Sequence, residues 1–216
     1  DAQAKPPEVR GIARAGNVGM GAFRFAKAFA ASVEMIGEEI RVPTLHATYG
    51  HATVTVEGVS VLPFVKGIPL RVQHTDSHGL RFEDLMENND VTNDTIVQWN
   101  LDHVVISEFG GTLQPVKLDG DVYSETSGFE VFDRAYHAPG RKHMIGVKAA
   151  TVRTRFGVRP DSVQFMGSRA TFGSSHLEAS VSVGFHNDIW LSVPKGSKID
   201  LADASPLVDV PMSGIA

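Results

Sequence analysis

The chain has 216 residues, 42% of them hydrophobic, and a formal net charge of -5 from 25 acidic and 20 basic side chains. That length is enough to bury a sizeable core in one large domain, and the scattered charges lack the basic stripe that neutralises phosphates, which sets nucleic acid aside as a primary partner. The absence of cysteine excludes disulfides, thiolate metal sites and cysteine nucleophiles together.

No apolar run approaches the roughly 18 residues of a membrane-spanning helix, and no charged-then-apolar leader stands in the sequence. The chain therefore reads as soluble, with its compartment unknown. Residues 1–16, with the pair Pro6-Pro7 and no apolar periodicity, read as an extended N-terminal arm. The glycines of Gly16-Asn17-Val18-Gly19-Met20-Gly21 match neither the dinucleotide fingerprint nor the phosphate-binding P-loop, and read as a flexible entry to the next element. Ala22, Phe25, Ala26, Phe29, Val33 and Ile36 then recur at three- and four-residue spacing, which predicts an amphipathic helix over about residues 20–37, stopped by Gly37.

From Ile40 the period changes to two. Thr53 to Val61 alternates polar and apolar residues and is rich in β-branched side chains, as a half-buried strand should be, with Gly58 marking a turn or bulge. A short strand from Leu70 to Gln73 leads into Gln73-His74-Thr75-Asp76-Ser77-His78, followed by Gly79-Leu80-Arg81-Phe82-Glu83-Asp84. This is the part of the chain richest in ligand and acid/base groups. In the setting of the surrounding strands it reads as the turn after a short strand.

Thr95 to Phe109 is the longest strand candidate, Gly110-Gly111 signals a hairpin, and Thr112 to Leu118 is its return strand; Asp119-Gly120 is a second hairpin signal. His143 to Phe156, Ser162 to Met166, Ala170 to Phe172, His176 to Phe185 and Asp188 to Val193 continue the strand series. Residues 195–216, with Pro206 and Pro211, read as an extended C-terminal arm. The expected architecture is mainly β: residues 17–194 as one antiparallel sandwich or jelly-roll-like barrel with a single helix near the N-terminus.

If residues 73–78 stay extended, His74, Asp76 and His78 share one face of a strand and suit a transition metal. His74-Thr75-Asp76 also has the H-x-D spacing of the facial triad in non-haem iron oxygenases, with His143, or else His137, as the later third ligand and Arg153 beyond it for a co-substrate carboxylate. His46 and His51 read as surface histidines. His103, counted on one strand face with Trp99 and Leu101, reads as a core or interface histidine. Phe165-Met166-Gly167-Ser168-Arg169 lacks the second glycine of a nucleophile elbow, and no pair of carboxylates is set out for glycoside hydrolysis. Arg153, Arg155, Arg159 and Arg169 read as solvated charges rather than a basic patch.

The sequence supports first a non-enzymatic structural protein, in which β-rich bodies and extended arms self-associate into a shell, tube or ring with no cofactor. Two alternatives stand beside it. One is an oxygenase-like enzyme on a double-stranded β-helix, with iron or another divalent transition metal held by His74, Asp76 and His143. The other is a non-catalytic β module that binds carbohydrate or a small apolar ligand in the concavity of a sheet, for which Trp99 and Trp190 are the candidate contacts.

Overall fold

Alternation of polar and apolar side chains governs nearly the whole chain in the computed structural model, which describes residues 8–20, 23–81, 84, 97–132, 143–147, 149–184 and 189–204. The strands are β1 (Glu8–Met20), β2 (Phe23–Ile36), β3 (Glu39–Tyr49), β4 (Ala52–Val61), β5 (Pro69–Arg81), β6 (Val97–Leu113), β7 (Val116–Phe132), β8 (His143–Val147), β9 (Ala150–Val158), β10 (Ser162–Phe172), β11 (Ser175–Gly184) and β12 (Ile189–Ser192). One short helical turn, α1 (Leu201–Ala204), comes after them. All twelve strands belong to a single antiparallel sheet in the order β1-β2-β3-β4-β5-β6-β7-β9-β10-β11-β12, with β8 beside β7. Each strand pairs with the next in sequence, except that β8 and β9 lie in succession along β7, so the topology is a meander without the crossovers of a jelly roll. Among the described residues no second sheet is formed.

The helix expected over residues 20–37 is not there: this segment is β2, paired with β1 from Met20↔Phe23 to Glu8↔Ile36. The reason is visible in the residues themselves. Phe29, Ala31, Val33 and Met35 fall two apart as well as at near-helical spacings, so the segment satisfies both periods. Two flanking strands decide the matter by pairing with it on both sides. Gly37, read as a helix stop, instead opens the tight β2–β3 turn with a positive φ of 61°.

Two further glycine signals move. The β6–β7 hairpin turns at Gln114-Pro115, not at Gly110-Gly111, which lie inside β6 beside a bulge between Ser107 and Gly110. A Cβ on Gly111 would collide with the carbonyl oxygen of Lys117 on the return strand. Asp119-Gly120 also lies inside a strand, β7. The segment from His143 is a long strand interrupted once: β8 pairs with β7 from Phe132 to Phe129, and β9 continues the same pairing from Thr126 to Leu118.

Directly paired residues in an antiparallel sheet lie on the same face, so the register itself sorts the two faces. One ladder runs Ala13, Ala31, Leu45, Val56, Thr75, Ile106, Val122 and Thr154 across β1 to β9. Another runs Leu118, Val158, Val163, Val183 and Ile189 across β7 to β12. The neighbouring ladder, one residue away, reads Arg14, Ala30, His46, Thr55, Asp76, Val105, Tyr123, Arg153, Arg169 and Glu178. The sheet has one apolar face and one polar face.

On the apolar face a row of rings crosses the strands. Phe109 lies 5.8 Å from Phe156, and Phe156 lies 5.6 Å from Phe165. Gly120 separates the first two, and a Cβ there would come within 3.1 Å of the Phe109 side chain. The missing side chain is what lets the rings meet over it, as aromatic residues do when they cover a glycine in a sheet.

Very little of this face is enclosed. Among the described residues the buried hydrophobic side chains are Ala26, Ala31, Tyr49, Ala52, Val72 and Leu118. Among the described residues this face is shielded by its own neighbours, with no second sheet laid over it.

The segment read as an N-terminal arm enters the sheet at Glu8 as its edge strand. The start of the C-terminal segment, beyond Pro194, returns to the β10–β11 hairpin, where Lys198 and His176 exchange backbone hydrogen bonds. Asp203 caps that hairpin: its Oδ2 accepts from the Ser174 amide at 2.8 Å and from the Ser175 hydroxyl at 2.8 Å. These donors, Ser175 above all, hold the Asp203 carboxyl below its usual range.

Candidate functional site

The stretch from Gln73 to His78 is neither a turn nor a strand end. It lies in the middle of β5, between β4 and β6, and stays extended. His74, Asp76 and His78 therefore sit at alternate positions, opposite Ser107, Val105 and His103 of β6. All belong to the polar face.

Three of these groups converge. Asp76 Oδ1 lies 3.1 Å from His78 Nε2 and 3.1 Å from His103 Nε2. The two imidazoles stack, with centroids 4.5 Å apart and planes within 4° of parallel. The three ligand atoms lie within 4.8 Å of one another. The His78 side chain is 62% exposed, Asp76 35% and His103 28%, so the cluster is open to solvent on the His78 side and walled by the sheet on the other.

Of the residues singled out from the sequence, Asp76 stands at the centre of this cluster. His74 lies two positions before it on the same face, opposite Glu57 of β4. His143 begins β8 beside Phe132, and its side chain falls outside the described residues, as does the whole of His137. Sequence alone does not place His103 here. Its pairing with β7 slips by one residue on each side of Leu101, so a face counted by simple alternation from Trp99 does not carry through. The signal present in the sequence is His74-x-Asp76-x-His78 itself; its partner on β6 becomes visible only once the register is known.

The surroundings are polar and paired. Next to His103 on β7 is Glu125, whose Oε1 accepts from the Tyr123 hydroxyl at 2.7 Å. That bond to a carboxylate holds the Tyr123 phenol above its usual range. Arg153 of β9 lies over the Tyr123 ring, 5.2 Å from its centre. Arg153, Arg155 and Arg169 line one shallow depression of about 470 Å³ with Asp121 and Tyr123, but Arg155 lies opposite Asp121 and Arg169 bonds Glu178 at 3.1 Å. Arg159 is elsewhere, its guanidinium bonding Asp119 at 2.6 Å and the Leu118 carbonyl at 2.9 Å.

His51 is also tied down, and in a different place. Its backbone amide donates to Asp84 Oδ2 at 3.0 Å and its Nδ1 lies 2.8 Å from Oδ1, which fixes the β3–β4 turn at Gly50-His51. Chemically, among the described residues the polar face offers a convergent set of nitrogen and oxygen donors at Asp76, His78 and His103, and the other face offers a mainly apolar surface.

These features define an antiparallel β protein built as one two-faced sheet. No protein-family model matches the chain, and no curated protein or solved structure matches it either.

Proposed function

We propose that this chain is a non-catalytic β module whose apolar sheet face takes up the acyl chains of lipids. The observation that carries the reading is a mainly apolar face: one ladder joins Leu45 and Val56 to Ile106 and Val122 through Thr75, another runs Val158, Val163 and Val183 in succession, and no second sheet is formed among the described residues. Eleven strands in sequence at about 4.8 Å spacing make this face about 48 Å long. Each methylene it takes from water contributes about 0.8 kcal/mol. About sixteen such groups, a common acyl chain, provide about 13 kcal/mol, and a cost of about 5 kcal/mol for immobilising the chain leaves about 8, the scale of a micromolar Kd.

The test is a titration with a fluorescent polyunsaturated fatty acid. Saturable micromolar binding is expected, weakened at least about tenfold by Val56→Asp or Ile106→Asp and unaffected by Val105→Asp on the opposite face. Equal effects from the two faces, or no saturable binding, contradict the reading.

A second reading is self-association into a shell, tube or ring. It rests on β1, a 13-residue strand with no partner on its outer side among the described residues, bearing Val9 and Ile12 at 63% and 74% exposure. A long exposed edge of this kind is a template for pairing with another chain. No helix among the described residues is long and apolar enough to cross a membrane, which leaves strands out of account.

A further inference from the structure

We propose that Asp76, His78 and His103 form a site for a divalent transition metal of the zinc class on the polar face, bridging β5 and β6. Imidazole nitrogen and carboxylate oxygen are the donors such ions take, at about 2.0–2.2 Å each, and two ligands at those distances and near-tetrahedral angles stand about 3.3–3.6 Å apart. Asp76 Oδ1 already lies 3.1 Å from both Nε2 atoms, so two of the three edges need to open by only a few tenths of an ångström.

The third edge, between the two Nε2 atoms, closes when the stacked rings tilt from parallel so that their lone pairs converge. His78 has the freedom to make that movement, because its side chain is 62% exposed; His103, 28% exposed on the central strand β6, supplies the fixed wall. Water completes the coordination on the open side, where three protein ligands leave a position free. Ligation takes both imidazoles in their neutral form, so the ion competes with protons for them. The ion ties adjacent strands through ligands 27 residues apart in the chain, so it stabilises the sheet as well as binding to it. The inference does not rest on acyl-chain binding, which uses the other face.

The experiment is a titration of the metal-free protein with Co²⁺, followed by its visible absorption, and with Zn²⁺, followed by calorimetry and thermal unfolding. One equivalent is expected, with a d–d spectrum of a low-coordinate nitrogen/oxygen site and a rise in Tm on adding Zn²⁺. His78→Ala, His103→Gln and Asp76→Asn each weaken binding at least about tenfold, and His46→Ala, on the same face, leaves it unchanged. His78 is exposed enough that its replacement leaves folding intact, which far-UV circular dichroism verifies. The proposal is overturned by the absence of saturable binding below about 100 µM, by a Kd unchanged in His78→Ala, or by His74→Ala weakening binding as much as His78→Ala does.

Discussion

Replacing Phe156 tests whether the apolar face is held together by side chains meeting across strands. A phenylalanine buries on the order of 150–250 Å² when enclosed; Phe156 is half-buried, so about 100 Å² is at stake, or about 2.5 kcal/mol at 25 cal/mol per Å². Its two ring contacts, with Phe109 at 5.8 Å and Phe165 at 5.6 Å, each add about 0.5–1.5 kcal/mol of specific coupling. Phe156→Ala is therefore expected to cost about 4 kcal/mol, and Phe156→Leu, which keeps most of the apolar area, about 1 kcal/mol. The decisive assay is a double-mutant cycle of Phe156→Leu and Phe165→Leu by urea unfolding, with tryptophan fluorescence and far-UV circular dichroism required to coincide. A coupling of about 0.5–1.5 kcal/mol with an unchanged m value is expected. Additivity to within about 0.3 kcal/mol would refute the picture of rings that join β9 and β10 across the apolar face.

The fold sets two other outcomes. The Asp203 carboxyl is held below its usual range by the Ser175 hydroxyl and the Ser174 amide, so the cap contributes stability above the ordinary aspartate pKa of about 3.9 and loses it as pH falls through the lowered folded value; amide exchange around Lys198 and Asp200 should be slower in the parent than in Asp203→Asn at neutral pH, and that difference should vanish in acid. Ile12→Pro in β1 should abolish self-association if the edge strand mediates it, read as molar mass by light scattering; a compact monomer for the parent chain at micromolar concentration would remove the assembly reading altogether.

The β character is legible in the sequence because period-two alternation is a local property, and Thr53 to Val61 carries it openly. The expected helix fails because Phe29, Ala31, Val33 and Met35 fit two periods, and only pairing with β1 and β3 chooses between them. Gly110-Gly111 resembles a hairpin, yet its glycines serve the close approach of β6 to Lys117 at a bulge, which no local pattern announces. Strand order is not a local property, so the strand series alone suggests a sandwich; the described strands pair into a single sheet in meander order. The site is half legible for the same reason. Alternation along β5 places Asp76 and His78 together, and the slipped register around Leu101 hides His103.

The most direct test of acyl-chain uptake places a photoreactive benzophenone amino acid at single positions and irradiates the protein with phospholipid vesicles. Val56 and Ile106 lie on the apolar face, and Thr55 and Val105 are their immediate neighbours on the polar one. Lipid adducts, identified by mass spectrometry, are expected from Val56 and Ile106 and not from Thr55 or Val105. Equal labelling from the two faces, or adducts from Val56 and Ile106 to a second copy of the chain in place of lipid, would contradict it.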